Sequence, residues 1–332
     1  MIGNGAITGC AAMLDLLIFI RAIHFAASTS VAGLVFFLSF VGAPAFRRTD
    51  SNATIPAPLQ ARLAWLGWIS LGVAVISGAC WLVIQAAQMS DLSLADVFAQ
   101  GVLWTVLSDT DFGRVWAVRL ALVIALAAVS PFSSGSTKSA RKNAPALLLA
   151  ASLVGSLAFA GHAAAGSGTQ GTIHLMADIL HLIAAAAWVG ALIPLAMLFA
   201  AANGKHGMPT IGIAVAREAT LRFSTLGMTS VGTLLATGVV NSWVLAGSVP
   251  ALIGTNYGRV LLIKVGLFLG MVSVAAFNRQ HLTPLLVQER NAYARERALR
   301  QLRVNSLIEV TLGVIIFGVV GVLGITPPGL ES

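Results

Sequence analysis

Residues 161–199 read GHAAAGSGTQGTIHLMADILHLIAAAAWVGALIPLAMLF, and this stretch decides the fold. From Thr172 onward it is apolar and long enough to cross a bilayer as one helix, since a span needs about 20 apolar residues. His174, Asp178 and His181 nevertheless lie inside this apolar segment, at positions i, i+4 and i+7. These spacings place the three side chains on one face of an α-helix.

The three ionisable side chains predict a functional site within the membrane. Such groups are costly in hydrocarbon, so they normally face a protein interior or a water-filled cavity and mark function. Two imidazoles and a carboxylate are also ligands that a transition metal would use. We therefore expect a metal site formed by His174, Asp178 and His181. Met176 lies off their face and is expected to pack against its neighbours rather than bind a metal.

The composition of the whole chain is that of a polytopic membrane protein. Of its 332 residues, 57% are hydrophobic and only 10% are charged, whereas a soluble domain carries about 25% charged residues. The formal net charge of +8 does not indicate a nucleic-acid partner, because the basic residues lie in short loops between apolar runs rather than in one footprint. No Lys or Arg precedes Arg21, so the first apolar segment is expected to be a retained span rather than a signal peptide.

Eight apolar segments are predicted to cross the membrane as helices, because irregular backbone cannot face lipid. Their approximate limits are 13–43, 62–88, 114–131, 144–161, 172–202, 221–246, 258–279 and 304–325. The third and fourth are only marginally long enough for a hydrocarbon core of about 30 Å. Residues 93–107 predict a short amphipathic surface helix, with Ser93 and Asp96 placed to cap it. Residues 285–303 are rich in Arg and Glu, and we expect them to extend a neighbouring helix and to meet anionic membrane lipid.

The basic residues orient these spans. Fifteen of the 20 Lys and Arg residues lie in or beside the odd-numbered loops. They are Arg47, Arg48, Arg62, Lys138, Arg141, Lys142, Lys205, Arg217, Arg222, Arg279, Arg290, Arg295, Arg297, Arg300 and Arg303. The positive-inside rule therefore puts the odd loops in the cytoplasm and both termini in the periplasm. His174 would then lie near the periplasmic face, with Asp178 and His181 deeper in the membrane.

The two halves of the chain resemble each other. His24 and Gly33 match His181 and Gly190 at an offset of 157 residues. Further matches are Arg21 with Asp178, Ser77-Gly78 with Thr237-Gly238, Arg114 with Arg259 and Arg119 with Lys264. Because each half contains an even number of spans, the two halves should have the same orientation and form a parallel repeat. The predicted fold is thus all-α, with eight transmembrane helices in two four-helix repeats: residues 1–143, closed by the fourth span 144–161, and residues 162–332, which carry the His/Asp cluster.

Two further histidines are candidates for the same chemistry. His24 lies at about the same depth in the first span as His181 in the fifth, which would bring the two imidazoles together near the repeat axis. They are candidates for a shared metal site, for axial ligation of one haem b, or for simple hydrogen bonds to backbone carbonyls. His162, in GHAAAG, is placed either to reach the cluster or to remain a solvated loop residue. Glu309, in the last span, is a candidate exit or proton-relay group, or the partner of a loop arginine.

Motifs of the common soluble enzymes are missing from the sequence. There is no P-loop, Gly-x-Ser-x-Gly or His-Glu-x-x-His motif, and no soluble segment is large enough to hydrolyse ATP. The two cysteines, Cys10 and Cys80, are too few for a disulfide framework or a Cys-x-x-Cys site. We therefore do not expect an enzyme, and any transport would depend on a gradient or on delivery by a partner.

Five stretches of the chain carry a family resemblance. They are GHAAAG at 161–166, HLMADILHLIAAAAWVGALIPL at 174–195, RFSTLGMTSVGTLLATGVVNSW at 222–243, YGRVLLIKVGLF at 257–268 and AFNRQHLTP at 276–284. Together they resemble the copper-resistance protein D (CopD) family. The resemblance is dense over residues 160–285 and weaker in the first half, where LIFIRAIHFAAS at 17–28 fits it.

The resemblance implies a multi-pass protein of the bacterial inner membrane that takes copper from the periplasm towards the cytoplasm. It also implies a partner, a small periplasmic copper carrier of the CopC type, and copper ligands at His162, His174 and His181, with His24 as a further one. Only the resemblance selects copper, as Cu(II) or Cu(I), because the ligands would also suit Zn(II) or Ni(II). Two alternatives stay open: a haem-binding electron-transfer protein that uses His24 and His181, and a protein that stores or delivers copper without transporting it.

Overall fold

The structure, a computed structural model, describes residues 4–50, 54–129, 143–161, 167–202, 212–287 and 292–328. Within these ranges every regular element is a helix and there is no β-strand. Apolar segments of this length can satisfy their own backbone hydrogen bonds in lipid only as helices. The all-α prediction is therefore confirmed over the described residues.

Helical segments that continue one another without a break carry one label. In chain order they are α1 (Met13–Thr49, the apolar part of a helix that begins at Asn4), α2 (Ala57–Ser90), α3 (Leu94–Ala99), α4 (Val102–Asp109), α5 (Asp111–Val129), α6 (Ala144–Ala160), α7 (Gly168–Ala202), α8 (Ile213–Ala246), α9 (Val249–Gly254), α10 (Asn256–Leu286) and α11 (Ala292–Leu323). Seven of them are long and apolar enough to span a membrane: α1, α2, α5, α7, α8, α10 and α11. These seven match seven of the eight predicted segments.

The remaining predicted segment, 144–161, is α6, a shorter apolar helix. Its last part, Ser156–Ala160, is a 3₁₀-helix. At 1.5 Å per α-helical residue and 2.0 Å per 3₁₀ residue, α6 is roughly 28 Å long. Because that length is close to the thickness of a hydrocarbon core, an eighth crossing stays a prediction.

Helices α1 and α7 cross at the centre of the molecule, at Gly33 and Gly190. A Cβ atom on Gly33 would overlap the carbonyl carbon of Gly190, and one on Gly190 would overlap the carbonyl oxygen of Thr29. Only glycine lets two helix backbones approach this closely. The crossing residues are the pair that the sequence comparison aligns at an offset of 157 residues. The contact of one glycine with its counterpart is what a two-fold axis between α1 and α7 would require.

Short helices lie between the long ones at the end of the bundle where α7 begins. The predicted single helix 93–107 is in fact two helices, α3 and α4, because the chain turns at Gly101 with a φ of +68°. The predicted cap of α3 is confirmed, since Ser93 Oγ accepts a hydrogen bond from the Asp96 amide at 3.2 Å. In the second half, α9 occupies the corresponding place before α10.

The starts of α5 and α10 are built alike. Thr110 accepts a hydrogen bond from the Gly113 amide at 3.0 Å, and Thr255 accepts one from the Gly258 amide at 3.0 Å. A Cβ atom on either glycine would overlap a carbonyl oxygen of the short helix before it. Sequence positions 145 residues apart therefore adopt the same local structure.

The opposite end of the bundle carries the arginine-rich segments. As expected, the last helix extends well beyond its apolar part, because it begins at Ala292 rather than near residue 304. Near this end α10 widens into a π-helix over Asn278–Leu282. The end where Gly168–His174 lies is called the histidine end below, and the opposite one, with Arg47 and Arg222, the basic end. Which side of the membrane each end faces stays the prediction made from the basic loops.

Candidate functional site

The three predicted ligands on α7 descend from the histidine end into the span. His174 is buried, with 3% of its surface exposed, and Asp178 and His181 are partly buried. Seven residues of α-helix separate the two histidines by about 10 Å along the axis. A metal ion holds each imidazole nitrogen at only about 2 Å.

These side chains therefore do not form one ready-made ligand set. Over the described parts of the chain, no three His, Cys, Asp or Glu side chains are grouped so that they could hold a metal ion. Asp178 lies one turn from each histidine, so an ion could be shared by Asp178 with either His174 or His181. The three-residue site expected from the sequence therefore stays a prediction, and the helix geometry favours Asp178 with one histidine at a time.

The imidazole of His181 is held by a threonine on α8. His181 Nδ1 lies 3.0 Å from Thr237 Oγ1, and the Thr237 hydroxyl donates to the Thr233 carbonyl at 2.7 Å. Since the hydroxyl hydrogen is already used, Nδ1–H of His181 must donate to Thr237. The neutral imidazole then carries its lone pair on Nε2, which is the form that binds a metal while a neighbour fixes the other ring nitrogen.

Asp178 is surrounded by groups from α8 and α10. Its Oδ1 accepts a hydrogen bond from Asn241 Nδ2 at 3.3 Å. The side chains of Tyr257 and Lys264 lie within electrostatic range of the Asp178 carboxylate, and Lys264 also lies within range of His181. An acidic and a basic group thus stand together beside the imidazole.

His24 is held in the same way in the first half. Its Nδ1 lies 3.1 Å from the Ala74 carbonyl and 3.2 Å from Ser77 Oγ, while the Ser77 hydroxyl donates to the Val73 carbonyl at 2.6 Å. Nδ1–H is therefore the donor, and Nε2 carries the lone pair. This buried Nε2 makes no hydrogen bond to any described residue.

The two imidazoles are held by different helices. His24 bonds to α2 and His181 to α8, each the next long helix in its own half of the chain. Axial ligation of one haem would need both Nε2 atoms directed at a single iron between α1 and α7. The structure gives the haem alternative no support. His162, the remaining predicted ligand, lies outside the described residues.

A second polar group lies towards the basic end, around Glu309. This residue is only 2% exposed, and its Oε1 accepts a hydrogen bond from Asn278 Nδ2 at 3.0 Å. Asn305 Nδ2 in turn donates to Asn278 Oδ1 at 2.5 Å, and Gln301 Nε2 donates to Asn305 Oδ1 at 2.8 Å. Three side-chain amides thus form a chain from the surface to Glu309, in which each amide donates to the next group and Asn278 donates to the carboxyl group. Such an ordered chain polarises in favour of negative charge at its end.

From the sequence alone, Glu309 was either an exit or proton-relay group or the partner of a loop arginine. The described structure pairs it with an asparagine instead. One signal was available: Gln301, Asn305 and Glu309 are spaced four residues apart, which puts three polar groups on one face of α11. Glu309 also lines a cavity of about 450 Å³ whose wall is mostly apolar.

Comparisons with known proteins agree with the resemblance in the sequence. The chain matches the family model described as "Copper resistance protein D-like, N-terminal domain" over residues 13–172, and the model "Copper resistance protein D" over residues 217–323. It is 28% identical to the Copper resistance protein D of Pseudomonas syringae pv. tomato, over 94% of this chain and 97% of that protein. It is 27% identical to the Inner membrane protein YebZ of Escherichia coli K12, over 93% and 97% of the two chains.

A third relative is longer than this chain. The Copper transport protein CutJ of Bacillus subtilis is 29% identical over 63% of this chain, but only 37% of CutJ is covered. The names of the Pseudomonas and Bacillus relatives describe copper resistance and copper transport rather than enzymes. No solved structure matches the chain.

Proposed function

Because the chain belongs to the copper-resistance protein D family, a family of multi-pass inner-membrane proteins with a copper-related function, we propose that it binds copper on α7 and takes it from the periplasm into the cytoplasm. The observation that carries this proposal is the hydrogen bond from His181 to Thr237. It leaves the Nε2 lone pair of His181 ready for a metal ion at a point well inside the membrane.

Copper would move along α7 in two steps. It would first lie between His174 and Asp178, near the histidine end, and then between Asp178 and His181 one turn deeper. This order follows from the helix geometry, since Asp178 is within a turn of both histidines while the histidines are too far apart to share an ion. The carboxylate would supply the negative charge that a cation needs in hydrocarbon.

Lys264 would set how firmly the metal is held. Its ammonium group competes with a metal cation for Asp178 and repels one at His181. A site that binds too tightly cannot release its cargo, so a neighbouring positive charge favours passage over storage. Glu309 and its amide chain would then offer the next polar position towards the basic end.

Delivery of the metal is a separate part of the proposal. A periplasmic carrier of the CopC type would present copper to His174, with His162 as a further ligand at that surface. His24 would provide a copper ligand in the first half. These roles rest on the family resemblance and on the positions of the residues in the sequence.

The test is equilibrium copper binding to the purified protein, with copper uptake into vesicles beside it. His181→Ala removes the held imidazole and should lose most of the affinity and the uptake, and His174→Ala should slow uptake by removing the entry ligand. Met176→Leu is the matched control, because Met176 is 52% exposed on the same helix and lies off the ligand face. If both histidine variants bind and take up copper like the wild type, α7 is not the copper site. Normal binding without any uptake would assign the protein to storage or delivery.

A further inference from the structure

Two arginines in the first half of the chain stack on one buried tryptophan. Trp81 has none of its surface exposed. The Arg21 guanidinium carbon lies 4.7 Å from its ring centroid, and that of Arg119 lies 5.6 Å from it and 5.0 Å from the ring of Trp116. Both arginines are themselves buried, at 7% and 2% exposed. The two cations are near enough to repel each other.

Neither guanidinium is neutralised by the described part of the chain. Arg119 donates from Nε to Ser156 Oγ at 3.2 Å and from Nη2 to the Ser156 carbonyl at 2.7 Å, and both acceptors are uncharged. No carboxylate of the described residues forms an ion pair with Arg21 or Arg119. Arginine stays protonated in proteins, so two positive charges lie in the membrane-embedded interior.

Stacking on tryptophan offsets only part of the free-energy cost of burying these two charges. A cation over an indole ring gains a modest stabilisation, and here two guanidiniums share the ring of Trp81. Buried charges are otherwise paired or bound to an ion of opposite sign. Among the described residues, Arg21 and Arg119 thus lack a partner of opposite charge.

The unused hydrogen-bonding atoms around Trp81 are mostly donors. Arg21 Nε, Arg119 Nη1, Trp81 Nε1 and Trp116 Nε1 are all buried, and none of them has a hydrogen-bond partner among the described residues. Four N–H groups without acceptors call for a ligand that accepts hydrogen bonds from several sides. A halide or a small carboxylate does so, whereas a metal cation does not.

The equivalent place in the second half needs no external ion. At offsets of 157 and 145 residues, Arg21 corresponds to Asp178 and Arg119 to Lys264. Asp178 and Lys264 are opposite in charge and lie within electrostatic range of each other. At the offset of 160 residues that pairs Ser77-Gly78 with Thr237-Gly238, Trp81 corresponds to Asn241, which bonds to Asp178. The same positions thus hold two opposite charges in one half and two like charges in the other.

We propose that the first half of the protein binds a small anion, of halide or carboxylate size, between Arg21 and Arg119 beside Trp81. The near-complete burial of both arginines excludes a lipid headgroup by size. The anion also makes His24 usable, since without it the two guanidiniums repel any cation brought to the free Nε2 of that residue. The anion site itself does not depend on copper binding.

The experiment uses the purified full chain in a buffer whose anion is gluconate, which is much larger than chloride or acetate. Chloride is titrated in at constant ionic strength, with acetate as the carboxylate arm, and tryptophan fluorescence and the thermal unfolding midpoint are followed. The wild type should show a saturable fluorescence change and a rise in the midpoint. If the response saturates with chloride, the site takes a halide, and if it saturates with acetate, the site takes a small carboxylate.

Arg21→Gln and Arg119→Gln should each weaken the anion response at least tenfold. Arg259→Gln is the matched control, because Arg259 is exposed at the histidine end and donates to the Ile253 carbonyl at 3.1 Å. Should Arg119→Gln fail to fold, Arg119→Lys keeps the charge and should keep weakened binding. In gluconate, Arg21→Gln should unfold no earlier than the wild type, because it removes an unpaired buried charge.

Two results would overturn the anion site. One is the absence of a saturable response to both chloride and acetate in the wild type. The other is an equal fall in the unfolding midpoint of Arg21→Gln in gluconate and in chloride, which is the behaviour of an arginine that only packs against Trp81. Copper enters neither measurement, so failure here leaves the proposed copper function untouched.

Discussion

At the scale of single residues, the two buried histidines share one arrangement. Each donates its Nδ1–H to the following long helix of its own half, so each keeps its Nε2 lone pair unused. Ser77 and Thr237, which hold these histidines, donate their own hydroxyl hydrogens to carbonyls of their helices. A hydroxyl in that state can only accept, which fixes the tautomer of the imidazole it meets.

Thr237→Val should weaken copper binding by about 10–100-fold, the usual cost of losing the group that orients a metal-binding histidine. Valine keeps the shape but cannot accept from Nδ1–H, so the tautomer and ring orientation of His181 are no longer fixed. Competition titration with a copper chelator measures the change. Thr237→Ser should restore most of the affinity, and Thr229→Val, an exposed threonine on the same helix, should have no effect. Equal losses in the valine and serine variants would contradict the hydrogen-bonding role.

Lys264→Gln should strengthen copper binding by about tenfold. The substitution removes a positive charge beside Asp178 and His181, and a unit charge a few ångströms away is worth about 1–4 kcal/mol in a partly solvated interior. The same chelator titration measures it, with Arg259→Gln as the control for loss of a positive charge at the histidine end. A fall in affinity would mean that Lys264 positions Asp178 instead of competing with the metal.

Residue identity and spacing were enough to predict the face that carries His174, Asp178 and His181, but not its partners. Thr237 and Asn241 lie 56 and 63 residues further along the chain than the side chains they bond. Lys264 is likewise brought in from another helix. Such contacts depend on how α8 and α10 pack against α7, and a single sequence does not contain that packing. The pairing of Glu309 with Asn278, across 31 residues, was missed for the same reason.

At the scale of helices, the crossing of α1 and α7 depends on two glycines. Gly190→Ala should destabilise the protein by about 1–3 kcal/mol, because its Cβ atom would overlap the Thr29 carbonyl oxygen and rigid backbones would have to separate. The thermal unfolding midpoint in detergent measures the loss. Gly72→Ala and Gly232→Ala are matched controls, since a Cβ atom there meets nothing within 4 Å. Both should be neutral or slightly stabilising, as alanine favours the helix. A Gly190→Ala midpoint equal to theirs would show that the helices do not touch there.

Hydropathy located the long helices well and their ends less well. The second span was expected over 62–88, whereas α2 runs over Ala57–Ser90, because helices continue past the apolar core that hydropathy detects. The surface helix 93–107 was expected to be continuous, yet Gly101 adopts a positive φ and divides it. A glycine within a short amphipathic run allows either outcome, and tertiary contacts decide between them.

At the scale of the whole molecule, the predicted repeat places different charges at corresponding positions of the two halves. The glycine crossing, the held histidines and the threonine caps recur at matching positions, which supports the predicted repeat. The first half places Arg21 and Arg119 where the second half places Asp178 and Lys264. A cation site in one half and an anion site in the other would let a charged cargo enter the membrane without leaving a large net charge in its interior.

The topology of the whole chain is tested by reporters fused on either side of α6. If α6 crosses the membrane, a reporter fused after Arg141 should behave as cytoplasmic and one after Gly168 as periplasmic, because basic loops stay inside. A third fusion after Arg297, before most of α11, should again be cytoplasmic. Opposite readings at all three sites would reverse the orientation and put His174 at the cytoplasmic face. The same reading at Arg141 and Gly168 would mean that α6 does not cross, leaving seven spans and termini on opposite sides. In that case the halves could not share one orientation, and the correspondence of His24 with His181 would lose its structural basis.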